Sequence, residues 1–93
     1  MPDYSQGKIY KIVNTVNEKI YIGSTVTALY RRMKDHRQQA KTRTSKFYSA
    51  MRRHGVENFK IELIKDYPCE TLKQLEDKEF RVLSKYIAGQ DTV

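Results

Sequence analysis

With 93 residues the chain has room for one small domain, residues 1–93 with an ordered core over about 7–89, that buries roughly 60 to 65% of its unfolded surface. A single cysteine, Cys69, excludes a disulfide framework and a cysteine-rich zinc site; with no secretion signal and no apolar run near the ~18 residues of a membrane span, an intracellular, non-secreted, membrane-free protein is expected. The net charge of +7 is concentrated: Arg31 to Arg53 holds nine bases and one acid, Asp35, so that segment carries +8 and the rest −1, which points to a polyanion, nucleic acid above all.

The first two elements are short strands. Lys8-Ile9-Tyr10-Lys11-Ile12-Val13 and Ile20-Tyr21-Ile22-Gly23 alternate and are rich in β-branched and aromatic residues, with Asn14 to Lys19 as the loop of a hairpin. An even loop that sets Val13 against Ile20 puts Tyr10, Ile12, Tyr21 and Gly23 on one face, with the two tyrosines as diagonal neighbours. Spacing alone favours reading them as ordinary strand aromatics.

Thr27 then serves as the expected N-cap of a helix from about Ala28 to Lys41, whose stripe Leu29, Met33, His36 and Ala40 faces the sheet. Arg32 and His36 are four apart and stack on one side, His36 inside the stripe and Arg32 along its edge. After the polar loop Thr42 to Ser45, a second helix is expected over about Lys46 to Arg53, capped by Ser45 and stopped by Gly55. Arg31, Lys34, Arg37, Lys41, Arg43, Lys46, Arg52 and Arg53 form the candidate rim for nucleic-acid phosphates.

Phe59 to Ile64 alternates as a third strand, with Phe59, Ile61 and Leu63 on its buried side. Thr71 and Gln74 form a capping box opening a last helix that ends near Ala88, with Gly89 past its end. Its apolar arc is Leu72, Leu75, Phe80, Val82, Leu83, Tyr86 and Ile87, and Glu79 falls near the middle. A carboxylate there needs a partner, either a salt bridge to Arg32 or His36 or a divalent cation. The fold class is therefore α+β, a small three-stranded antiparallel sheet flanked by about three helices in the order β-β-α-α-β-α.

Lys8-Ile9-Tyr10, ten intervening residues, Tyr21-Ile22-Gly23-Ser24-Thr25, Leu29-x-x-Arg32-x-x-x-His36, His54-Gly55-x-x-Asn58-Phe59-Lys60-Ile61 and Glu79-x-x-x-Leu83 together resemble the GIY-YIG nuclease superfamily, of the homing-endonuclease or viral kind. Two positions depart: Lys8 stands where the signature's first glycine is usual, and the asparagine usual beyond the last helix has no counterpart, Gln90 and Asp91 being the nearest substitutes. The resemblance implies a metal-dependent DNA endonuclease with Tyr10, Tyr21, Arg32, His36 and Glu79 as catalytic residues. Glu79 would hold one Mg²⁺ or Mn²⁺, Tyr10 and His36 would activate water, Arg32 would bind the phosphate, and Lys8 would assist at Tyr10 or on the nucleic acid. A tyrosine base would require a pKa lowered by neighbouring cations. The competing class is a DNA- or RNA-binding module that keeps the scaffold without catalysis. The expected partner is DNA, joined by a second copy or a separate targeting domain or protein, since no helix-turn-helix or zinc finger accompanies the motif.

Overall fold

The computed structural model describes residues 2–87. Its strands are β1 (Lys8–Asn14), β2 (Tyr21–Thr25) and β3 (Phe59–Asp66), and its helices α1 (Leu29–Gln39), α2 (Lys46–His54) and α3 (Leu72–Ile87), with 3-10 turns at Tyr4–Gln6 and Val56–Asn58. The class and the β-β-α-α-β-α order match the reading of the sequence. The helix stop at Ala88 and Gly89 and the substitutes Gln90 and Asp91 lie outside the described residues.

The sheet is antiparallel with β1 in the middle, in the order β2-β1-β3. Ile12 lies opposite Tyr21 and Tyr10 opposite Gly23, the register that the even loop predicts. Asn14 organises that loop: its Oδ1 accepts the N–H groups of Val16 and Asn17, each at 2.8 Å, an Asx turn that fixes the strand exit.

β3 departs from strict alternation. Ile9 faces Lys65 whereas Tyr10 faces Leu63, so Ile64 is the extra residue of a β-bulge. Phe59 and Ile61 pack on the α1 and α2 side, Ile64 turns to the α3 side, and Leu63 is 47% exposed. Leu63 lies ahead of the bulge, opposite Tyr10, and keeps the face of Phe59 and Ile61. The expected trio therefore holds in direction but fails in burial at Leu63, which stands on an outer strand beyond the apolar cover of that face.

Helices cover both faces of the sheet. On one, Tyr10, Ile12, Met33, Phe47, Met51 and Phe59 form a cluster under α1 and α2; on the other, Ile9, Ile20, Ile22, Leu75 and Val82 form a cluster under α3. α1 starts one residue later than expected, with Ala28 at its N-cap, while the Thr27 hydroxyl pairs with that of Thr25 at 2.9 Å. Ser45 caps α2 by accepting the Tyr48 N–H, and Gly55 ends it at φ 91°, a conformation that glycine adopts at little cost. α3 opens on the capping box: Thr71 Oγ1 accepts the Gln74 N–H, and Gln74 Oε1 accepts the N–H groups of Thr71 and Glu70.

A single helix on a three-stranded sheet buries a narrower stripe than the predicted arc. Leu75 and Val82 are buried and Leu83 and Tyr86 half-buried, but Leu72, Phe80 and Ile87 are exposed. Glu79 remains in the middle of the buried stripe, half-buried itself. Gly7 has a packing duty of its own, since a Cβ there would collide with the Tyr67 carbonyl and lie 3.2 Å from Leu75 Cδ1.

Candidate active site

Alternation sends Tyr10 from the central strand toward α1 and α2, where it is fully buried. Its ring crosses Gly23, so close that a Cβ on Gly23 would stand 2.5 Å from Tyr10 Oη and 2.6 Å from Cζ. The glycine is thus the floor on which the phenol lies. Tyr21, diagonal to it, has its ring centroid 6.4 Å from that of Tyr10 and stacks on Phe47 of α2 at 4.2 Å.

α1 brings in the next two groups one turn apart. His36 is fully buried, and its Nε2 lies 2.7 Å from Tyr10 Oη; Arg32 donates its Nε–H to the same oxygen at 3.2 Å. The far ring nitrogen, Nδ1, lies 2.9 Å from the hydroxyl of Tyr48 on α2, and Tyr48 donates to Gln39 Oε1 at 2.5 Å. Five side chains from β1, α1 and α2 therefore form one row.

Glu79 reaches the site from the opposite face of the sheet. The parity that turns Tyr21 and Gly23 toward α1 turns Ile22 and Ser24 toward α3, and the Ser24 hydroxyl donates to Glu79 Oε1 at 2.5 Å. β2 is an outer strand, so Glu79 stands near the sheet's edge, and its charge raises the pKa of both Tyr21 and Tyr10. A cavity of about 310 Å³ runs along this edge, lined among others by Ser24, Thr25, Thr27, Arg32 and Asp35. Arg32 and the serine that holds Glu79 thus open onto a common space.

Burial dominates the electrostatics. Loss of solvent pushes Tyr10 well above its ordinary value of 10, and the charge of Arg32 only partly opposes this. Tyr21 and Tyr48 are raised as well, burial being the main cause in each. The expectation of a tyrosine made acidic by nearby cations is therefore corrected: all three phenols keep their protons at neutral pH. His36 shifts the other way, from 6.5 to about 4, through burial and then the Arg32 charge, so its imidazole is neutral. A neutral imidazole beside a protonated phenol can accept the phenolic proton.

The GIY-YIG catalytic-domain family model matches residues 6–87. The chain belongs to the GIY-YIG family. The catalytic domain of the homing endonuclease I-TevI shares the fold, with a TM-score of 0.70 and 24% identity over 85% of this chain and 86% of that one. Two proteins of Invertebrate iridescent virus 6 are similar in sequence: 146R, whose name gives it an MSV199 domain, is 37% identical over 82 residues, and 019R, described as uncharacterized, is 35% identical over 81. These matches cover 87% and 86% of this chain, which spans about a third of the length of each viral relative.

In this GIY-YIG domain the signature's Tyr10, Tyr21 and Gly23 and the helix pair Arg32 and His36 meet at one place. Lys8 does not join them, because its Nζ donates to the Gln6 carbonyl at 2.9 Å. Among the described residues the ion pairs are Lys11 with Glu62 and Lys73 with Asp77, so Glu79 has no salt bridge to Arg32 or His36. A half-buried carboxylate held, among the described residues, by one hydroxyl suits a divalent cation: hard oxygen donors fit Mg²⁺ or Mn²⁺, which keep most of their water. No three acids, histidines or cysteines cluster among the described residues.

Of the candidate phosphate contacts, Lys34, Arg37, Lys41 and Arg52 converge on a cavity of about 480 Å³ between α1 and α2, and Lys46 and Arg53 line another of about 360 Å³. Arg31 and Arg43 are exposed. Arg52 braces the α1–α2 loop, its Nη1 donating to the carbonyls of Ala40 and Arg43, each at 2.5 Å. No helix among the described residues is long and apolar enough to cross a membrane. Ser24, Gln39 and Tyr48 were not foreseen as members of the site, although Tyr48 falls on the apolar side that the second helix shows in the sequence. Ser24 lies inside the quoted signature and strand parity would have pointed it at α3, whereas nothing in one sequence reveals which residues of α2 face α1.

Proposed function

We propose that this domain is a metal-dependent DNA endonuclease that hydrolyses phosphodiester bonds. The observation that carries the reading is the 2.7 Å contact of Tyr10 Oη with a buried, neutral His36, beside Arg32 and across the strand edge from Glu79.

The attacking water gives a proton to Tyr10 as the phenol passes its own to His36 Nε2. The two transfers are coupled because the raised pKa of Tyr10 denies it a standing phenolate population. Arg32 keeps Nη donors for the non-bridging phosphate oxygens while its Nε holds Tyr10, an arrangement suited to the charge that builds as the water oxygen bonds to phosphorus. Glu79 would hold a hydrated Mg²⁺ or Mn²⁺, which supplies Lewis-acid charge for the phosphate and the departing 3′ oxygen. Tyr21 orients the water or the phosphate, and breaking the P–O3′ bond, with a proton from solvent passing to the departing oxygen, leaves a 5′-phosphate and a 3′-hydroxyl.

The basic rim of Arg31, Lys34, Arg37, Lys41, Arg43, Lys46, Arg52 and Arg53 supplies sequence-blind affinity, with Lys8 at the margin. Specificity would come from a second copy of the chain or from a separate targeting domain or protein. Supercoiled plasmid, with and without Mg²⁺, tests the reading. Nicking that needs the cation and disappears in Glu79→Ala supports it, and nicking that survives in that variant refutes the role of Glu79. Lys8 in place of the signature's glycine favours the second reading, a nucleic-acid-binding module without catalysis; retention of plasmid with no nicking by the unaltered chain under any divalent cation would select it.

A further inference from the structure

The row of side chains running through His36 has a single direction. Tyr48 gives its one hydrogen to Gln39 Oε1, so at His36 Nδ1 it accepts. The bare Nε2 of the neutral ring takes the hydrogen of Tyr10, whose oxygen accepts from Arg32, a donor only. Nε2 is then bare and Nδ1 carries the ring's proton, which goes to the Tyr48 oxygen; Tyr48 in turn directs its hydrogen to the carbonyl oxygen of Gln39. The chain of donors starts at a cation without acceptors and ends at an oxygen without hydrogens.

We infer that Tyr48 and Gln39 are positioning residues that hold His36 in its Nδ1–H tautomer, so that Nε2 presents a lone pair to Tyr10. His36 is fully buried, leaving no water to take the Nδ1 proton in their place. Without Tyr48 the proton is better placed on Nε2, pointing at Tyr10, where it occupies the lone pair that must receive the phenolic hydrogen. Without Gln39 the Tyr48 hydroxyl is free to turn and donate to Nδ1, which drives the ring into the same unproductive form. The groups facing the imidazole are Tyr10 from β1, Tyr21 from β2, Tyr48 from α2, and Arg32 and Asp35 from α1. Among them only Tyr48 takes the Nδ1 proton.

The tautomer does not depend on the nuclease reading; its consequence for cleavage does. Nitrogen-15 NMR of the imidazoles at neutral pH, with His54→Gln to assign the second histidine, reads the ring directly. In the unaltered chain Nδ1 is expected protonated and Nε2 bare, and Tyr48→Phe, which keeps the ring against Phe47, and Gln39→Leu are each expected to move the proton toward Nε2. Plasmid nicking should fall in parallel by on the order of 10²-fold, the usual scale of a lost general base. Gln39→Glu keeps the acceptor and adds negative charge, so the tautomer should persist while the acid limb of the rate profile moves to higher pH. A protonated Nε2 in the unaltered chain, or the same tautomer in all variants, overturns the inference. The expected tautomers in a chain that cuts no DNA would support it and refute the nuclease reading instead.

Discussion

Gly23→Ala is the sharpest structural test of the site. The new methyl would stand 2.5 Å from Tyr10 Oη, 2.6 Å from Cζ and 3.0 Å from Tyr21 Cε1, against an ordinary contact of roughly 3.5 Å between carbon atoms. The phenol must therefore retreat by about 1 Å, yet it is fully buried in a close-packed cluster. Overpacking costs about 1 to 3 kcal/mol, and stretching the bond to His36 leaves a buried nitrogen underpaired for about 1 to 3 more. Urea unfolding followed by circular dichroism should show a stability loss of about 2 to 6 kcal/mol with an unchanged m-value. Single-turnover cleavage by the folded fraction should drop by roughly 100-fold, the scale of a 1 Å misplacement. Gly7→Ala is the control, since its clash with the Tyr67 carbonyl lies on the α3 side, away from the row. It should lower stability while folded protein still cleaves. Near-normal unfolding and cleavage within a few-fold in Gly23→Ala would refute the packing argument.

Arg32→Ala should slow single-turnover cleavage by roughly 10² to 10³-fold, as loss of one preorganised donor does, and an unchanged rate would remove its role at the phosphate. Replacing Lys34, Arg37 and Lys41 together with alanine should lower the slope of log affinity against log salt by about 3, one for each phosphate contact, without changing the rate of bound complex; an unaltered slope would place DNA elsewhere. His36 at about 4, against 6.5 when exposed, makes the folded chain bind fewer protons than the unfolded one between those values. Stability is therefore complete above pH 6.5 and declines by about 3 kcal/mol as pH falls through 4. Urea midpoints across that window should fall less steeply in His36→Gln, and parallel curves would refute the assignment.

Local chemistry made much of this fold legible. The even hairpin loop set the register that faces Tyr10 to Gly23, and Ser45, Gly55 and the Thr71–Gln74 box marked helix ends where the backbone needs those residue types. What failed depends on tertiary context. A period-two count gives the face of Leu63 but not how far the helices cover that face, and a periodic arc does not say how wide a stripe its neighbour covers, so Leu63 and Phe80 were placed inside although they are 47% and 68% exposed. The grouping of Arg32 with His36 followed from helix spacing, but the direction of the tyrosine pKa did not, because adjacent cations were weighed without the larger effect of burial. Tyr48 and Gln39 became visible only once α2 lay against α1.

The bond between Ser24 and Glu79 joins segments 55 residues apart across the edge of the sheet. A ribosome making this chain completes the tyrosines, the arginine and the histidine long before it reaches the acid, so a product stopped before residue 72 would have the row around His36 and lack the carboxylate proposed to hold a cation. On the proposed reading cutting power would arrive last, with the docking of α3, and undocking that helix at Val82 would weaken cleavage without disturbing the opposite face. If the proposed reading holds, changes buried beneath that helix would dial cleavage down by degrees while the basic rim on the other face stays whole.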